Sequence, residues 1–251
     1  MVLIDKRKKM KKEKKFKQKR GRGFGFFKGF LKIFIRKPKI VYLGKEVDKP
    51  SIILSNHVGK TAPLTLELYF KTPFRYWGTY EMNGSLKSVY KYMSEVFYHQ
   101  KKGWNLFLAR LFCIIAAPLA FLFYRGLRLI STYPDHRFRR TIKESLETIK
   151  GGESLVIFPE DSSKGYFDEL TYFYSGFLLL AKTAYKKGND MEIYLSYFRK
   201  KDRTYVVDKP FLYSQYLNCG LSREEIAERA RQKVNELGKM DLKELLTKKE
   251  Q

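Results

Sequence analysis

The chain is poor in cysteine and histidine: two cysteines, Cys113 and Cys219, and three histidines, His57, His99 and His136, occur in 251 residues. Their scatter offers neither a metal-ligand spacing nor a disulfide framework, so no metal is expected and the reading is a reducing compartment. A cleavable leader is not expected either, because the N-terminus lacks an apolar core followed by small residues. Acid is scarce at one end of the chain. Through Lys39 there are 17 Lys and Arg against Asp5 and Glu13 alone, more than half of the formal charge of +25. What is present is a hydrophobic content of 44%, enough at this length to bury one α/β core with appendages.

Residues 1–22 carry few apolar side chains after Ile4 and read as a disordered polybasic tail, unable to offset its own ordering entropy. Residues 23–37 are different. Phe27, Phe30, Leu31, Phe34 and Ile35 fall on one helical face with Lys28, Lys32 and Arg36 opposite, the pattern of a basic amphipathic helix at a membrane interface. The adjoining tail adds attraction to anionic lipid of roughly 1 kcal/mol per charge near the surface. The same stripe also suits a helix docked on the core of its own domain. The run Arg20-Gly21-Arg22-Gly23-Phe24-Gly25-Phe26 has an RGG-like composition, the basis of a third reading as a nucleic-acid-binding protein; one short run makes nucleic acid the less expected partner.

Residues 38–251 read as the folded domain. Its most apolar stretch, residues 106–124, is close to the minimum length for a bilayer span but contains Arg110 and Pro118. A charge is expensive in hydrocarbon, and a single crossing here would separate the chain before it from the chain after it. A buried, re-entrant or interfacial helix is expected instead. Around it, strands are expected at Ile40 to Gly44, Ser51 to Ser55, Arg128 to Ser131, Leu155 to Phe158, Glu192 to Phe198 and Thr204 to Val207. Helices are expected at Leu64 to Phe70, Arg137 to Lys150, around Gly176 to Ala181, and from Ser222 to about Leu237 behind a Ser222/Glu225 capping box. Pro73 to Trp104 reads as aromatic and turn-rich. The fold class is a mixed α/β domain with a central, largely parallel sheet flanked by helices.

Two strand ends stand out. Ile52-Ile53-Leu54 runs into Ser55-Asn56-His57, and Leu155-Val156-Ile157 runs into Phe158-Pro159-Glu160. Ser51 precedes His57 by the same interval as Ser154 precedes Glu160, so a base and an acid are expected on one rim, where ligands of open α/β sheets collect.

These segments resemble the glycerolipid acyltransferases, the family of 1-acylglycerol-3-phosphate and glycerol-3-phosphate acyltransferases. The carriers are Asn56-His57 for the N-H-x-x-x-x-D block, Phe158-Pro159-Glu160 for the F-P-E-G-T-R block, and Gly176 to Ala181 followed by strand, turn and Lys209-Pro210. The resemblance covers about Ile40 to Phe211. It implies an O-acyltransferase acting at the cytoplasmic face of a membrane, peripheral or monotopic, with anionic lipid as its surface partner. The acyl donor is acyl-CoA or acyl carrier protein, the acceptor is a lysophospholipid or glycerol phosphate hydroxyl, and no resident cofactor is required. His57 is implied as general base with Glu160 beside it. Asn56, Phe158, Pro159, Asp161, Ser162, Lys164 and Arg137 are implied on the substrate. In such sites an acid orients the histidine.

The departures from the pattern are specific. Ala62 stands where the acid of the first block belongs, with Asp161 and Glu67 as candidate substitutes. Asp161, Ser162 and Ser163 replace the rest of the third block, Tyr133 occupies the place of the second block's arginine, and Leu195 stands where many members have proline. Lys60, Lys164, Arg137, Arg139 and Arg140 leave positive charge to recruit an anionic head group. Loss of the orienting acid makes a catalytically degenerate, lipid-binding member the alternative function.

Overall fold

The computed structural model describes residues 21–59, 61–161 and 165–241. The tail 1–20, Lys60, Ser162, Ser163 and Lys164 lie outside the described residues.

Apolar strand runs set the architecture. The strands are β1 (Lys39–Tyr42), β2 (Ile52–Ser55), β3 (Phe74–Thr79), β4 (Ile130–Thr132), β5 (Ser154–Ile157), β6 (Glu192–Arg199), β7 (Thr204–Val207) and β8 (Phe211–Leu212). Among the described residues they form one sheet in the order β1-β7-β6-β2-β5-β3-β4, with β8 on β6. The five strands β6, β2, β5, β3 and β4 are mutually parallel; β7 and β8 run antiparallel to β6. Strands buried on both faces read as continuous apolar runs, and β2 and β5 are buried throughout. The expected mixed α/β class is the observed one.

Side-chain alternation splits the core into two layers. Ile52, Leu54, Leu155 and Ile157 face α5 (Phe138–Lys150), α6 (Gly176–Lys186) and α7 (Arg223–Lys239), whereas Ile53 and Val156 face the opposite cluster with Leu66 of α2 (Thr61–Tyr69). Each fully buried Ile or Leu contributes about 1.5–3 kcal/mol. Helix α7 starts at its expected cap, with Ser222 Oγ accepting from Glu225 N–H at 3.2 Å and the Glu225 carboxylate accepting from Ser222 N–H at 2.7 Å.

The aromatic stretch after Pro73 is a correction. It contains β3, which lies between β5 and the edge strand β4, a 3-10 turn (Tyr80–Asn83), α3 (Leu86–Lys91) and a π-helix (Tyr92–Lys101). Strand β3 hides because Arg75 sits in it. That guanidinium is held by Arg128 O at 2.7 Å, Thr148 Oγ1 at 3.1 Å and the Glu144 carboxylate at 2.6 Å, so a charged residue is tolerated inside the sheet.

Helix α4 (Leu106–Leu127) runs through Pro118 and three residues past the expected end, from the Asn105 side-chain cap to Arg128 in the left-handed region at φ 52°. By length and composition it could cross a membrane. Yet β2 and β3 precede it, β4 and β5 follow it, and all four pair in one sheet, so α4 cannot be a lone crossing. Its inner side, Cys113 and Ala117, packs on Val89 and Met93. Phe107, Leu108, Leu111, Ile114, Ile115, Leu119 and Leu122 remain exposed.

Helix α1 (Arg22–Phe34) has both characters that the sequence left open, with Lys28 as the departure from the expected faces. Phe24 packs on Phe123 and against Gly126, where a side chain would strike the Phe24 ring. Lys28, expected on the wet side, points inward to the buried Glu67 carboxylate at 2.9 Å. Phe26, Phe27, Phe30, Ile33 and Phe34 are exposed, and Phe27 meets Phe123 of α4 at 5.8 Å. The RGG-like residues 22–26 are therefore part of a docked helix.

Candidate active site

The register of β2 on β5 pairs Ile52 with Leu155 and Leu54 with Ile157, and Ser51 N–H donates to Ser154 Oγ at 3.2 Å. Carried past the strand ends, this frame places His57 level with Glu160. The two meet: the Glu160 carboxylate accepts from the His57 backbone N–H at 2.9 Å. The next registers, Tyr76 with Val156 and Thr79 with Thr132, bring the ends of β3 and β4 to the same rim.

Asn56 is fully buried. Its amide donates to Phe198 O at 3.1 Å and accepts from Phe198 N–H at 2.6 Å, clamping the end of β2 to β6. The side chain expected on substrate is thus committed to positioning its neighbour. Truncation in Asn56→Ala strands two buried backbone groups and is expected to cost about 2–5 kcal/mol, read as a fall of roughly 10 °C in thermal midpoint.

After His57 the backbone turns sharply, with Val58 at φ 40° and Gly59 at φ 59°. A β-branched residue in the left-handed region is strained, by about 1–3 kcal/mol, and such strain collects where a neighbouring side chain must be aimed. The turn delivers the His57 ring against Phe158, edge-on at 4.7 Å and 65°, and beneath Tyr166, stacked at 4.7 Å and 18°. Phe158 in turn stacks on the buried Tyr76 at 5.9 Å.

Burial sets the protonation states. It pushes the His57 imidazole down to about 4, aided by the nearby positive charge of Lys101 and opposed by the Gly59 backbone. Gly59 does not reach hydrogen-bond geometry, and Nδ1 is buried with no partner among the described residues. His57 keeps some solvent contact as a residue, but not on that side of the ring. Glu160 is pushed up to about 7 by burial, against the pull of the His57 N–H. Near neutral pH the imidazole is neutral and the carboxylate half ionised.

The candidate orienters lie elsewhere. Ala62 is buried and its carbonyl accepts from Tyr205 Oη at 2.7 Å. Glu67 pairs with Lys28, and Asp161 donates its backbone N–H to Tyr172 O at 3.4 Å, its charge favouring the protonated forms of the Tyr174 and Lys101 side chains. Pro159 is held by Tyr174 N–H on its carbonyl at 2.8 Å, and Glu160 bridges to Phe173. Arg137 is not brought to the pair. It forks onto Asp135 at 2.7–3.0 Å and lies over the stacked rings of Tyr80 and Tyr133, two strand positions beyond Glu160, roughly 10 Å by strand spacing. Ser162 and Lys164 lie outside the described residues.

Sequence reasoning missed Tyr166, Tyr76 and Lys101. The dense aromatics from Tyr166 to Tyr174 were the available signal for the first; nothing in the spacing marks the other two.

No family model matches the chain, and no curated protein does. Among solved structures, the 1-acyl-sn-glycerophosphate (LPA) acyltransferase PlsC from Thermotoga maritima is similar over 87% of this chain and 80% of that one, at 14% identity and a TM-score of 0.46. That likeness is one of overall shape.

Proposed function

We propose that this chain is a membrane-associated acyltransferase, moving a fatty acyl group from an acyl-CoA or acyl-carrier-protein thioester to a hydroxyl of a lysophospholipid or glycerol phosphate at the cytoplasmic face. The observation that carries this reading is the meeting of His57 and Glu160 at the ends of adjacent parallel strands in an aromatic-walled site. The molecule that holds this site also has the exposed apolar surface of α1 and α4.

The neutral imidazole accepts the proton of the acceptor hydroxyl as its oxygen attacks the thioester carbonyl. The C–S bond then breaks, and the imidazolium returns the proton to the leaving thiolate. Ionised Glu160, bonded to the backbone of the same residue, favours the transient imidazolium. Lys101, whose charge is felt at His57, supplies positive charge toward an anionic head group. Donor and acceptor are substrates, and the proposed chemistry uses side chains alone.

The test is transfer of a labelled acyl group from acyl-CoA to lysophosphatidate in anionic vesicles by the purified full chain. Product above the uncatalysed background supports the reading. Ala62, and an Nδ1 without a partner among the described residues, favour a second one, a catalytically degenerate lipid-binding member, for which vesicles bind and no product forms. The surface role has its own prediction. Leu111→Glu with Ile115→Glu, both exposed on α4, is expected to leave folding unchanged and to weaken vesicle binding in a sedimentation assay by about 100-fold or more.

A further inference from the structure

The geometry points to Tyr166 as the positioning residue that holds the His57 imidazole in the orientation an acid would otherwise set. The inference rests on the reading of His57 as the base. A base on a rotatable side chain works only when its ring is fixed, and the usual device is a carboxylate on the far nitrogen. Here Ala62 cannot supply one, Glu67 is paired with Lys28, and Glu160 bonds the backbone N–H of His57 rather than its ring.

What does restrain the ring is an aromatic column. Tyr76, 3% exposed, is anchored at its inner end by a hydrogen bond from its hydroxyl to Pro63 O at 2.7 Å. Phe158 stacks on Tyr76 at 5.9 Å and 19°, and the edge of His57 meets Phe158 at 4.7 Å. Tyr166 closes the column, its face parallel to the imidazole within 18° at 4.7 Å. Phe158 meets the imidazole edge-on and Tyr166 covers a face, so turning the ring breaks the stack on Tyr166 as well as the edge contact. Tyr166 follows Gly165, whose φ of 110° is a backbone conformation that suits glycine. The contact is made by the ring face, so phenylalanine can replace it and an aliphatic residue cannot.

The experiment pairs kinetics with an observation of the imidazole itself in the full chain. In Tyr166→Ala, kcat is expected to fall about 100-fold with KM changed by less than about threefold, and Tyr166→Phe to restore kcat to within about threefold of wild type. Independently of turnover, the His57 ring protons in a ¹H–¹³C NMR spectrum are expected upfield in wild type and Tyr166→Phe. In Tyr166→Ala they lose that shift, and the titration midpoint rises from about 4 toward the ordinary histidine value. Ring signals and titration unchanged in Tyr166→Ala, or changed equally in Tyr166→Phe, overturn the assignment. A wild-type chain without turnover sinks the acyltransferase reading alone, because the NMR comparison still reports whether Tyr166 holds the ring.

Discussion

His57→Ala is expected to lower acyl transfer by about 10²–10⁴-fold, the range lost when a positioned general base is removed. The loss falls on kcat, since the hydroxyl proton no longer has an acceptor in the transition state while the binding surfaces remain. Folding is expected to survive, because the Asn56 clamp on Phe198 and the β2–β5 pairing hold this strand end without the ring. The control is vesicle binding, which depends on α1 and α4 and is expected to stay at the wild-type level. Undiminished product formation by His57→Ala removes His57 from the role of base.

Glu160→Gln is expected to make the protein more stable and less active. The carboxylate, raised to about 7, favours the folded state when protonated and disfavours it when charged. Its stabilising contribution is therefore present below the ordinary glutamate range and lost as pH rises through about 7. Above that pH the buried charge costs about 2–3 kcal/mol after allowance for its partial solvent contact. Glutamine keeps an acceptor for the His57 N–H and removes the charge. Thermal midpoints are expected to differ little at pH 5 and to favour Glu160→Gln by roughly 4–8 °C at pH 8. His57 has the opposite sign: its depressed value gives stability that is present above about 6.5 and lost as pH falls through about 4. The variant is also expected to lose roughly tenfold in transfer at pH 8, where the wild-type carboxylate is charged and supports the imidazolium. A wild-type stability advantage at pH 8 would contradict this account of Glu160.

The pairing of His57 with Glu160 was legible because two apolar runs of equal frame enter it. Parallel strands in register deliver residues of equal offset to the same height, and the observed register has the offset that joins 57 to 160. Composition also marked α4 and the capping box of α7, whose signals are local. Strand β3 was not legible, because Arg75 breaks its apolar pattern and the cage that accepts this charge comes from α5 and the turn before β4. Lys28 of α1 was placed on the wet side for a related reason. Lys28 counts as surface until Glu67, on α2, is seen beneath it. The stack of Tyr166 on His57 joins a loop to a strand end across more than a hundred residues, and no spacing rule encodes such a contact.

The pH dependence of single-turnover acyl transfer in Glu160→Gln tests the central claim, that a buried neutral imidazole at position 57 takes the hydroxyl proton without an acid behind it. With the Glu160 titration removed, the rate is expected to stay flat through pH 6.5 and to fall only on approach to about 4, together with the His57 ring titration followed by NMR. A rate that falls with a midpoint well away from the His57 titration, or that shows no protonation-linked fall at all, would contradict it.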